Sequence, residues 1–158
     1  MTPEQNVQSQ YTSLASDYGI NIFDPDTKAL TANARLDLAN LESKTTTLDT
    51  LKQGWSNGIL ATYGNLAPQL NSGLTLKQIA DPARSAMSQI LGIDKNSISL
   101  QDPLVQKYLT GNDGKSIMPA YQYEQLLRQD PRWKSSKDAQ DSLSNVAQGM
   151  AKTFGVLG

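Results

Sequence analysis

Histidine and cysteine are both absent from this chain. Their absence excludes a Ser-His-Asp or Cys-His triad, a zinc finger, a histidine-rich metal site, thiol redox chemistry and a disulfide scaffold. Aromatic residues supply only 6%, charged residues 18% and hydrophobic residues 38% of the 158 positions. Gln, Asn, Ser and Thr fill the difference, so the surface is polar without being strongly charged. The 14 basic and 15 acidic residues leave a net charge of −1. No general attraction to nucleic acid or to an anionic membrane follows from that balance. Residues 1–64 hold four bases against seven acids and residues 65–158 ten against eight, an asymmetry too mild to imply a partner. No apolar run approaches the roughly 18–20 residues that span a bilayer, so no stable membrane anchor is expected. The opening Met-Thr-Pro-Glu-Gln-Asn has no basic or apolar signal region and is expected not to direct secretion. Phosphate-loop glycines and solenoid-period repeats are missing as well.

What is present is punctuation by proline. Four of the seven prolines sit in Asp-Pro pairs: Asp24-Pro25, Asp81-Pro82, Asp102-Pro103 and Asp130-Pro131. Aspartate is a good N-cap, and proline fits the first helical position, where its missing N–H would be unpaired anyway. Most of these pairs therefore read as helix starts, with Thr2-Pro3 and Met118-Pro119 as weaker equivalents.

Between these marks the apolar spacing is helical. Val7, Tyr11, Leu14 and Tyr18 form one stripe on a helix from about Pro3 to Tyr18, stopped by Gly19. Ile20 to Asp26 reads as an extended connector. A long helical zone follows from about Asp26 to Tyr63, interrupted at Thr45-Thr46-Thr47, where β-branched residues disfavour helix and Thr47 can cap a new one. Gly54 and Gly58 suggest close approach of a neighbouring helix. Thr75 and Gln78 have capping-box spacing, and Asp81-Pro82 reads as the start of a further helix ending at Gly92. Shorter helices follow Asp102-Pro103 and Pro119, with Gly111-Asn112-Asp113-Gly114 as a turn between them. Ser135 or Ser136 caps a last helix, with the stripe Ala139, Leu143, Val146, Ala147, Met150 and Phe154.

The expected fold is all-α: long N-terminal helices followed by a compact bundle of short ones. Residues 1–64 are expected as an extended helical arm, 65–73 as a linker and 74–158 as a small C-terminal helical domain. Trp133, Leu126, Leu143 and Phe154 are expected to hold the C-terminal core.

Leu48, Leu51, Trp55, Ile59 and Tyr63 are expected to form an assembly surface, because the stripe holds more apolar side chains than a lone helix can bury. Arg128, Arg132, Trp133, Lys134 and Lys137 make a candidate basic contact, diluted by Asp130 and Asp138. Leu41-Glu42-Ser43 resembles the Glu-Ser of lytic transglycosylases, whose chemistry needs a buried general acid and further cleft motifs. The acidic turns lack the spacing of a calcium loop. No catalytic residue, cofactor or metal ligand is assigned.

One stretch is more specific. Tyr123-Glu124-Gln125-Leu126-Leu127-Arg128-Gln129-Asp130-Pro131-Arg132-Trp133 is preceded by Ile79-Ala80-Asp81-Pro82 and Ile90-Leu91-Gly92-Ile93-Asp94. It is followed by Ala151-Lys152-Thr153-Phe154-Gly155. Together they resemble a segment of tape-measure-like or internal virion proteins of tailed bacteriophages, over about residues 74–156. The resemblance is one of caps and core positions, not of a catalytic motif. It implies a non-enzymatic structural protein of the virion, in the tail lumen or capsid interior, with itself and other tail or portal proteins as partners. A virion-associated peptidoglycan hydrolase acting through Glu42, and a DNA-ejection accessory with weak DNA contact, are the alternatives. Tape-measure proteins run to many hundreds of residues, and this chain has 158.

Overall fold

The computed structural model describes residues 2–153. They form eight α-helices and short 3-10 turns, with one isolated β-bridge between Phe23 and Leu30. The fold is all-α. The chain divides between Ile79 and Ala80 into two compact units.

In the first unit, α1 (Pro3–Asp17) starts at Thr2. Its side chain accepts from the Gln5 N–H at 3.2 Å, and the Gln5 side chain accepts from the Thr2 N–H at 3.0 Å. This reciprocal pair satisfies backbone donors that a helix end leaves bare. Helix α2 (Ala32–Glu42) is capped by Thr31, and α3 (Leu48–Thr62) by Thr47. Asp26, expected at the head of a long helical zone, lies instead in a turn. Asp24 Oδ1 accepts the N–H groups of Asp26 and Thr27 at 2.8 and 2.9 Å. Those bonds hold the Asp24 carboxyl below its ordinary range and divert the backbone from helix.

Residues expected as a linker are helical. A 3-10 turn (Gly64–Leu66) runs into α4 (Ala67–Asn71), and Leu66 and Leu70 are buried. Pro68 stands in the first turn of α4, where it breaks no bond. Helix α5 (Leu76–Leu91) begins at Thr75, whose side chain accepts from Gln78 N–H at 3.2 Å while Gln78 Oε1 accepts from Thr75 N–H at 2.9 Å. Asp81-Pro82 is therefore not a helix start. Pro82 lies inside α5, where it forgoes one helical bond. Asp81 is free to pair across the turn, with Lys95 at 2.8 Å and Arg84 at 3.9 Å.

The core of the first unit gathers around Tyr11, Ala15, Ile22, Ala34 and Leu38. Trp55 of α3 packs against it, with ring centroids 5.8 Å from Tyr11 and 6.4 Å from Tyr18, both tilted. Such aromatic pairs contribute about 0.5–1.5 kcal/mol beyond the burial itself. The Tyr11 hydroxyl donates to Asp37 Oδ2 at 2.8 Å. Burial, and then that bond to a carboxylate, push the Tyr11 phenol up from its ordinary value. Gly54 and Gly58 are exposed, and a methyl group built on either would meet nothing within 4 Å. The close helix approach expected there does not occur.

In the second unit most buried side chains come from α5, α6 (Pro103–Thr110) and α7 (Ala120–Leu127). Ala83, Met87, Val105, Leu109 and Leu127 are fully enclosed. Arg84 is buried with them. Its guanidinium donates to the carbonyls of Lys95 at 2.8 Å and Ile98 at 3.3 Å, so its charge is spent on fastening the 95–98 turn to α5. Asp102 caps α6. Gly111 ends it at φ 66°, where an added methyl would collide with the Ser116 carbonyl; only glycine fits. A 3-10 turn (Pro131–Ser135), capped by Asp130, leads to α8 (Lys137–Thr153). Ser136 caps α8, its hydroxyl accepting from Ala139 N–H at 3.1 Å.

Candidate interaction surface

The stripe expected to form the assembly surface is used inside the chain. Leu48, Leu51 and Trp55 pack on the Tyr11 core, Ile59 is buried, and Tyr63 is half-buried. Burial pushes the Tyr63 phenol up from its usual value. The physical reason for the difference lies in α1 and α2. Their buried residues form the cluster on which Leu48, Leu51 and Trp55 pack, and none of the five side chains is left exposed.

The bare apolar face is on α8. Leu143, expected in the C-terminal core, is 63% exposed, with Val146 at 58% and Met150 at 56%. Their spacing of three and four places them in one row along the helix. Of the four expected core residues, Trp133 and Leu126 are half-buried, Leu143 is on the surface, and Phe154 lies outside the described residues. Helix α8 meets the 131–135 turn through its first turn, where Ser136 and Ala139 are buried. From Gln140 to Met150, every side chain that the structure describes is exposed.

The basic cluster does not act as one. Arg132 grips Asp130 through two bonds, Nε to Oδ1 at 2.8 Å and Nη2 to Oδ2 at 3.1 Å, and reaches Asp102 at 3.6 Å. The Arg132 bond holds the Asp130 carboxyl below its usual range, and the same bond raises the guanidinium. One arginine thus neutralises the caps of two neighbouring elements. Lys134 and Arg128 are exposed and Trp133 is half-buried; the Lys137 side chain lies outside those described. Tyr123 is buried beside this network, and its hydroxyl has no hydrogen-bond partner among the described residues. Burial chiefly, then the nearby Asp102 charge, raise its phenol.

Glu42 is exposed as the last residue of α2, not the buried general acid that a transglycosylase needs. Among the described residues, no three acidic groups are placed to hold a metal ion, and no helix is long and apolar enough to cross a membrane.

Two features escaped the sequence reading. Arg84 gave a signal only in its place on an otherwise apolar helix face. The exposure of α8 gave none, because its apolar row and the charge-free run from Ser142 to Ala151 read as a buried face. No family model, curated protein or solved structure matches this chain.

Proposed function

We propose that this chain is a non-enzymatic structural component of a tailed-bacteriophage virion, tape-measure-like or internal and ejected, acting by helix-mediated assembly. The Tyr123–Trp133 segment carries the reading. Its resemblance to virion proteins is one of cap and core positions. Those positions do such work here, with Tyr123 and Leu127 buried, Asp130 capping and Arg132 clamping. The apolar row of α8 supplies an assembly face, in place of the α3 stripe. Itself and tail or portal proteins are its partners, and the tail lumen or capsid interior is its location. The hydrolase alternative draws no support from an exposed Glu42. The DNA alternative draws little from a cluster whose central arginine is paired.

Mass spectrometry of purified virions, with polypeptides separated by size, tests the proposal. Peptides of this chain in a discrete band, or in a much larger one, support it as a free protein or as a module. Their absence from otherwise well-covered virions contradicts it.

A further inference from the structure

We infer that the Pro131–Ser135 turn is a latch that opens locally together with α8, and that the Tyr123 hydroxyl replaces Arg132 at the Asp102 carboxylate when it does. Two polar side chains carry this, one without a partner in the closed state and one with a loose partner.

Tyr123 is the first. It is 1% exposed, and its hydroxyl bonds to nothing among the described residues. A phenylalanine would fill the same space without stranding a buried hydroxyl, which is costly when left unbonded. Burial and then the Asp102 charge raise its phenol, so Asp102 is the carboxylate that its proton feels. Asp102 is the second. Its side chain is 20% exposed. Oδ1 accepts from the Leu104 N–H at 2.9 Å and so caps α6, while Oδ2 faces Arg132 Nη1 at 3.6 Å, long for a hydrogen bond.

Arg132 belongs to the turn. It grips Asp130 at 2.8 and 3.1 Å, so it travels with the turn, and its hold on Asp102 is the longer contact. Helix α8 is fastened through Ser136 and Ala139 and is exposed beyond them, so it leaves with the turn. Tyr123 stays behind. Its ring packs on Tyr108, 5.1 Å between centroids, in the helix that Asp102 caps. Departure of Arg132 would strand a largely buried carboxylate; the neighbouring hydroxyl supplies a donor. Opening therefore exchanges a loose ion pair and an unbonded hydroxyl for one charge-assisted hydrogen bond. That makes it a commoner event than global unfolding.

Amide hydrogen exchange on the full chain tests this. The reporters are the N–H groups of Trp133 and Ser136, which donate within the turn to the carbonyls of Asp130 at 3.0 Å and Trp133 at 2.9 Å. Tyr123→Phe deletes only the hydroxyl. It should slow exchange at both amides about three- to tenfold, the net worth of one hydrogen bond. In an Asp102→Ser background, where serine keeps the cap, the slowing should vanish. Unchanged or faster exchange in Tyr123→Phe overturns the inference, as does equal slowing in the Asp102→Ser background. Denaturant unfolding gives a second reading. Tyr123→Phe should leave wild-type stability undiminished, yet lower the folded-to-unfolded ratio several-fold in Arg132→Gln, where the hydroxyl already holds Asp102. A loss of the same size in both backgrounds overturns it too, because the hydroxyl would then be bonded in the closed state.

Discussion

Helices α3 and α8 are written alike and used oppositely. Each carries apolar residues at spacings of three and four, each is opened by a hydroxyl cap, and neither is highly charged. The row on α3 is covered by the Tyr11 core, and the row on α8 is bare. Periodicity shows that a helix has an apolar face. It does not show what lies on that face, because the cover comes from residues far away in the chain. For Trp55 of α3 the cover is Tyr11 and Tyr18, more than 35 residues upstream; for α8 beyond Ala139 the described chain provides none.

Mutation can break this contrast directly. Trp55→Ala should have the largest effect, a loss of about 2–3 kcal/mol in chemical denaturation, below the full range because the indole is only partly buried. A change within error would mean that α3 is not seated on the core. Next come the caps. Thr47→Ala should cost about 1 kcal/mol of global stability, because α3 is tied to the core. Ser136→Ala should instead reduce helicity at 222 nm and leave the main unfolding midpoint nearly in place, since α8 melts without the core. Equal shifts of the midpoint in both variants would erase the distinction.

Acid supplies a third contrast, within the second unit. The Asp130 carboxyl is depressed by Arg132. Its stabilising contribution is therefore present above the unfolded carboxylate value of about 4 and lost as pH falls through the lower folded one. Asp130→Asn should flatten the acid limb of the stability curve below about pH 4. An unchanged limb would mean that the Arg132 clamp contributes nothing. The smallest effect belongs to the bare face: Leu143→Ser should alter the stability of dilute protein by less than about 0.5 kcal/mol. A loss as large as that of Trp55→Ala would return Leu143 to a core.

These contrasts also mark what could be read from the sequence. The caps at Thr2, Thr47, Thr75, Asp102, Asp130 and Ser136 were legible because each bond spans two or three residues, and with them the all-α class. Pro82 was misread because its meaning depends on where the helix began, and the Thr75–Gln78 box starts that helix six residues earlier. Segment 65–73 was misread because Gly64, Pro68 and Gly73 look like loop punctuation, while Leu66 and Leu70 are buried by tertiary packing. The α3 stripe, expected to be exposed, is packed inside its unit, and Leu143, expected in the core, is on the surface. Both helices present the same pattern, and only long-range contacts separate them.

The absence of cysteine makes the central contrast directly measurable. Ile59→Cys on α3 and Leu143→Cys on α8 each place a single thiol in the chain, and their rates of labelling by a small thiol reagent can be compared in dilute native protein. The account predicts that Leu143→Cys reacts at the rate of an unfolded chain and Ile59→Cys roughly a hundredfold more slowly, limited by local opening. Equal rates, or a slower Leu143→Cys, would contradict it.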